Sequence, residues 1–161
     1  SFRDKVLINF GKMIQVSNFQ EFAHKESFKD VRKLNEEIGK RLSELMINAK
    51  NRAEDLWQKG QLNEELLQQA ILDNEPHFAR KALGLMSGLP VQTVKAILNS
   101  RNAKVVTSLC WKAGLSMRLA IKVQSEVAHV SSRDIINARD GVEYPFSQEE
   151  LDWQLSFFTD E

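Results

Sequence analysis

The chain has 161 residues, with 22 lysines and arginines against 22 aspartates and glutamates, three histidines and one cysteine. These proportions predict a single soluble globular domain that buries roughly 70% of the surface of its unfolded chain, and they exclude a disordered tail, a collagen-like rod and a disulfide scaffold. No run approaches the ~18 consecutive apolar residues of a membrane span.

The balanced charge conceals a split. Residues 1–75 hold 12 basic and 13 acidic side chains, residues 76–125 hold 8 and none, and residues 126–161 hold 2 and 9. The chain opens on Ser1 rather than Met, as a fragment or processed product would, and its first residues lack the charged-then-apolar layout of a secretory signal. A lone cysteine, Cys110, makes no internal disulfide, so a reducing, cytoplasmic setting is expected.

Seven glycines and three prolines punctuate the sequence, and apolar residues recur at three and four rather than two, so helices are predicted nearly throughout and no strand is. The first helix carries Phe2, Val6, Phe10, Met13 and Ile14 on one face and breaks around Gln15–Ser17. A longer one follows Ser27 as N-cap, with Phe28, Val31, Leu34, Ile38, Leu42 and Leu45 at helical spacing. A short helix, Asn51–Lys59 with Leu56 and Trp57, ends at Gly60, where glycine adopts a left-handed cap at little cost.

From Gly60 a unit recurs. Gly60-Gln-Leu62-Asn63, Gly88-Leu89-Pro90 and Gly114-Leu115-Ser116 place Leu62, Leu89 and Leu115 in register, each before a helix-starting residue. Leu67, Val94 and Ala120 then share one apolar position, and Ala70, Ile97 and Val123 the next. Helices led by Pro76 and by Asn102 lie between the units. Helix pairs at a fixed period imply stacking, because one pair cannot bury its apolar face alone. At the end, Ser131–Asp134 caps a short helix through Ile135, Ile136 and Ala138 that closes at Gly141, and Val142–Phe146 is extended before Pro145. Ser147-Gln-Glu-Glu150 has capping-box spacing and starts a helix bearing Leu151, Trp153, Leu155, Phe157 and Phe158, read as a terminal cap with an apolar inner and an acidic outer face.

The stretches Gly60–Leu67, Pro76–Phe78, Leu85–Val94, Leu109–Leu115 and Trp153–Phe158 resemble a bacterial family known only as a domain of unknown function. The resemblance covers roughly residues 55–158 and leaves residues 1–50 unmatched. It implies an all-helical, HEAT-like repeat protein of bacterial origin and supplies no catalytic residues; Trp111 and Lys112 depart from the generic apolar-basic pair expected there.

Chemistry is sparse. His24, His77 and His129 lie far apart, and Cys110 sits between Leu109 and Trp111 as a packing residue would. No CxxC, HExxH or glycine-rich phosphate loop occurs, so no metal or other cofactor is expected. The carboxylate pairs Glu36-Glu37, Glu64-Glu65 and Glu149-Glu150 read as solvated faces or helix starts. All three tryptophans, Trp57, Trp111 and Trp153, read as core anchors. Two signals remain. Leu83–Leu98 and Leu109–Val123 have the local form of a helix-turn-helix; the first leaves Gln92, Thr93, Lys95 and Asn99 free, whereas the second reads as sandwiched. The basic segment, Arg80, Lys81, Lys95, Arg101, Lys104, Lys112, Arg118 and Lys122, either forms a binding ridge or is neutralised by the acidic end of the chain.

The expected protein is all-α: stacked helix pairs in a short HEAT-like α-solenoid or an irregular helical bundle. N-terminal helices occupy residues 1–50 and a repeat region with its cap helix 51–161, read as one continuous domain. The expected function is non-enzymatic: a protein-interaction or scaffolding module, of a kind that also serves regulation, with those eight cations as its partner surface. Nucleic-acid binding is the alternative, and an anionic small ligand such as a nucleotide comes third. An enzyme built on Cys110 and a distant histidine ranks last.

Overall fold

The computed structural model describes residues 28–159, so the helix expected over Phe2–Ile14 lies outside the described residues. Two compact units divide the chain at Asn48 and Ala49, and each is described by itself. Among the described residues there are seven α-helices and no strand; an isolated antiparallel bridge joins Arg139 and Glu143.

Helix α1 spans Phe28–Gln58. Two helices were expected here, but Met46–Lys50 contain no glycine or proline to stop the first, and the helix continues through them. In the first unit, Val31, Leu42, Leu45 and Ile47 are exposed, and Arg41 pairs with Glu37 one turn back.

The second unit continues with α2 (Glu64–Leu72), α3 (Pro76–Ser87), α4 (Val91–Ser100), α5 (Ala103–Lys112), α6 (Met117–Lys122), a π-helical turn over Val123–Val127, and α7 (Gln148–Thr159). The starts follow the capping residues. Asn63 accepts from the Leu66 amide at 3.0 Å, Asn102 from Lys104 at 3.0 Å and Ser116 from Leu119 at 3.3 Å. Ser147 and Glu150 form the expected reciprocal box, at 2.8 and 3.3 Å. Pro76 opens α3, and Pro90 stands just outside α4 as its N-cap.

The stops are equally regular. Gly60, Asn74, Gly88, Arg101, Gly114 and His129, one after each of α1–α5 and one after the π-turn, are left-handed, at intervals of 14, 14, 13, 13 and 15 residues. At the three glycines the next amide reaches back five residues: Gln61 to Leu56 at 2.8 Å, Leu89 to Gly84 at 3.1 Å and Leu115 to Cys110 at 3.1 Å. These are Schellman caps. A Cβ on Gly88 would meet nothing within 4 Å, so only the backbone angle sets its cost. Gly88→Ala is therefore expected to lower stability by about 1–2 kcal/mol, read by thermal unfolding in circular dichroism.

All six apolar positions aligned between the units are buried: Leu67, Val94 and Ala120, then Ala70, Ile97 and Val123. Helix α5 is central. It packs on α3, α4, α6, the π-turn and α7, and Val105–Cys110 are buried without interruption, as befits a helix enclosed by its neighbours. Helix α2 also meets the π-turn, so elements distant in sequence close around α3 and α5.

Two local expectations change. The helix after Ser131 does not form: Ser132–Asp134 make a single turn and Ile135–Ala138 run irregularly. A segment this short lacks the residues to repay helix nucleation, and its backbone bonds elsewhere. Buried Gln124, on the π-turn, donates from Nε2 to the Ile136 carbonyl at 3.1 Å, and its Oε1 accepts from the Ile136 amide at 2.9 Å. The Tyr144 hydroxyl donates to the Leu115 carbonyl at 2.9 Å, tying the same connection to the third glycine turn. In α7 the apolar residues divide. Leu151 and Leu155 are buried, whereas Trp153 and Phe157 are exposed, because residues two apart on a helix point to nearly opposite sides. Trp57 is also exposed, since the buried line at that end of α1 runs through Ala53 and Leu56. Core anchoring thus fails for Trp57 and Trp153 and holds in part for Trp111, which is half-buried.

Candidate partner-binding surface

The eight cations spread over α3 to α6. Lys95, Arg101, Lys104, Lys112 and Arg118 are exposed, and Arg80, Lys81 and Lys122 half-buried. Among the described residues only Lys81 forms an ion pair, with Glu54 of α1, and none pairs with a carboxylate of the acidic C-terminal part. Direct neutralisation by the cap is therefore absent among the described residues. Lys112 and Lys122 lie in last turns, where the helix dipole favours a cation.

Two of the cations stand in clefts. A cleft of about 300 Å³ opens between the ends of α2, α4 and the π-turn and the start of α3; Arg80, Asn74, Asn99, Glu126 and His129 line it over an apolar floor of Ala70, Ile71 and Leu98. Arg80 is partly engaged: its Nε donates to the Pro76 carbonyl at 3.0 Å and Nη2 lies 3.5 Å from His77 Nδ1. Burial, aided by Arg80 and Lys50, holds the His77 imidazole below the usual histidine range and so favours its neutral form. Beside this cleft Arg52 grips Glu75 with two hydrogen bonds and stacks 4.1 Å above the Phe78 ring.

The second cleft, about 140 Å³, is lined by Lys104, Phe146, Glu150, Trp153 and Gln154. The Lys104 ammonium stands 5.9 Å from the centre of the Phe146 ring. The bonds from Ser147, with smaller help from Lys104 and Arg139, hold the Glu150 carboxyl below its ordinary range. Trp153 and Phe157 stack edge to face with centroids 4.8 Å apart.

Cys110 is fully buried, and desolvation pushes its thiol well above the ordinary range. Burial does the same to Tyr144, with Cys110 and Glu64 adding to it. The thiol is thus held protonated, the form that is neither nucleophile nor metal ligand. Among the described residues no group of three or more His, Cys, Asp or Glu is placed to hold a metal ion, and no helix is long and apolar enough to cross a membrane.

Charge counting located the cations but missed their neighbours. Glu150, Trp153 and Phe146 beside Lys104, and His129, Asn99 and Glu126 beside Arg80, carried no motif. No sequence signal marked them: the longer last interval between left-handed residues, 15 rather than 13 or 14, ends at His129 and shows only in the backbone angles.

Fold and surface define an all-α protein with exposed cations, one of which, Lys104, shares a cleft with the exposed Trp153. The chain belongs to a family of uncharacterised proteins conserved in bacteria, DUF2336, whose profile matches residues 22–147. The match begins well before residue 55 and so takes in α1, and it ends before the Trp153–Phe158 stretch that also suggested the resemblance. Comparison with curated proteins and with solved structures gave no match.

Proposed function

We propose that this protein is a non-enzymatic, HEAT-like helical-repeat module of the bacterial cytoplasm that binds an acidic protein surface through its basic segment. The observation that carries the reading is that seven of the eight cations of residues 76–125 have no ion-pair partner among the described residues, and five are exposed. Exposed cations held on packed helices attract acidic partners and steer their approach. The recurrence of a left-handed glycine at Gly60, Gly88 and Gly114, each followed by a leucine within two residues and by the same two core positions, supports the repeat reading. The buried, protonated Cys110 thiol supports the absence of nucleophilic catalysis.

Reversing Arg101, Lys104 and Arg118 together to Glu is expected to abolish capture of protein partners from a nuclease-treated bacterial lysate while the helical circular dichroism spectrum stays unchanged. Undiminished capture by that variant overturns the reading. Nucleic-acid binding remains the second reading because Gln92, Lys95 and Asn99 are exposed along α4. It requires affinity for a labelled duplex that falls with salt at a log–log slope of about −0.9 per phosphate contacted, and a flat titration excludes it.

A further inference from the structure

Helix α7 is fixed to the bundle by Leu151 and Leu155, and what it turns outward is unusual for a monomer surface. Trp153 is 60% exposed and Phe157 65%, stacked on each other, with Glu149, Glu150 and Asp152 exposed around them. Large aromatic side chains held in a rigid exposed pair are typical interface anchors. The same helix packs on α4 and α5. Exposed Arg101 and Lys104 stand where α4 ends and α5 begins, and Lys104 shares its cleft with Glu150 and Trp153. Lys104 and the acidic, aromatic side of α7 therefore meet at this cleft, with Arg101 three residues away at the end of α4. Among the described residues no ion pair joins them.

A face on which opposite charges lie side by side is self-complementary. Turned through half a revolution, its acidic strip meets the cationic strip of an identical copy, and the reverse contact forms at the same time. We propose that two copies of this chain associate through this face as an isologous dimer, with α7 of each copy seated against the Arg101–Lys104 strip of the other and the Trp153–Phe157 pairs buried near the axis. The inference rests on the basic-segment reading above and names a second copy as its acidic partner.

Sedimentation velocity of the full chain tests it. A dimer is expected at about 50 mM NaCl that weakens at least ~10-fold at about 500 mM, as the screening length falls from roughly 14 to roughly 4 Å. Trp153→Ala with Phe157→Ala is expected to weaken it by at least ~10-fold as well. The decisive arm uses two charge reversals, Arg101→Glu with Lys104→Glu, and Glu149→Lys with Glu150→Lys and Asp152→Lys. Each variant alone carries two like-charged strips and is expected to be monomeric; mixed in equal amounts, the two are expected to form a heterodimer. The inference is overturned by a wild-type chain that stays monomeric to about 100 µM, by a dimer indifferent to both reversals, or by a mixture of correctly folded variants that does not associate. Should a reversal variant lose its helical spectrum, the aromatic double variant decides. A monomeric wild type leaves the basic-segment reading standing if the triple reversal still abolishes lysate capture, so the two failures are distinguishable.

Discussion

Leu109→Ala is expected to cost about 3–4 kcal/mol of folding stability, near the middle of the usual range for a buried leucine. The side chain is fully buried on α5. Neighbours press on that helix from α3, α4, α6, the π-turn and α7, so no single element can move in to fill the space. The cavity term therefore adds to the lost transfer energy. Urea denaturation followed by far-ultraviolet circular dichroism reads the loss directly. A matched substitution on the same helix separates packing from polarity. Thr107 is buried, and its hydroxyl makes no hydrogen bond. Thr107→Val keeps the volume and removes that group, so it is expected to be neutral or to stabilise by about 1 kcal/mol. A Leu109→Ala loss below ~1 kcal/mol would mean that the bundle relaxes around α5 instead of enclosing it.

Much of this fold was legible because it is decided locally. Asn63, Asn102, Ser116 and the Ser147–Glu150 box are read from one or two residues, and each caps a helix. The glycine turns follow from the same logic, since Gly60, Gly88 and Gly114 occupy angles that other residues adopt only under strain. Asn74, Arg101 and His129 hold the alternate left-handed stops without being glycine, and for that reason three of the six stops were not marked in the sequence. Long-range choices were less legible. Whether the α7 aromatics face in or out depends on which side α4 and α5 occupy, and the two leucines at positions 151 and 155 win that side. The candidate surface divides in the same way. Composition alone located the cations of residues 76–125, but that Lys81 would turn to Glu54 while Lys104 lies beside Glu150 and Trp153 is a consequence of packing.

Gln124→Leu is expected to destabilise the protein by about 2–4 kcal/mol, the cost of leaving two buried or half-buried backbone groups unsatisfied at about 1–3 kcal/mol each with partial relief from water. The amide of Gln124 offers the Ile136 backbone one donor and one acceptor, the same pair of groups that a neighbouring strand would provide. Leucine is apolar but one atom shorter than glutamine, so the loss combines the two broken hydrogen bonds with a small packing defect. Gln124→Glu retains an acceptor, loses the donor and places a carboxylate where the native side chain is fully buried, so it is expected to cost at least as much. The effect has a local signature that a general loosening lacks. The Ile136 amide should exchange with solvent faster, by a larger factor than the amides of α5, because its partner is gone while Leu109 and its neighbours remain packed. Tyr144, eight residues on, should lose protection of its hydroxyl bond to Leu115 as the connection frees itself from the third glycine turn. Hydrogen exchange resolved by residue separates the two cases. Unchanged protection at Ile136 in Gln124→Leu would show that Ile135 and Ala138, packed against the core, set the path of this segment without help from the π-turn. The expected result instead makes the π-turn the anchor of the irregular connection between α6 and α7, because Gln124 on that turn holds both backbone groups of Ile136.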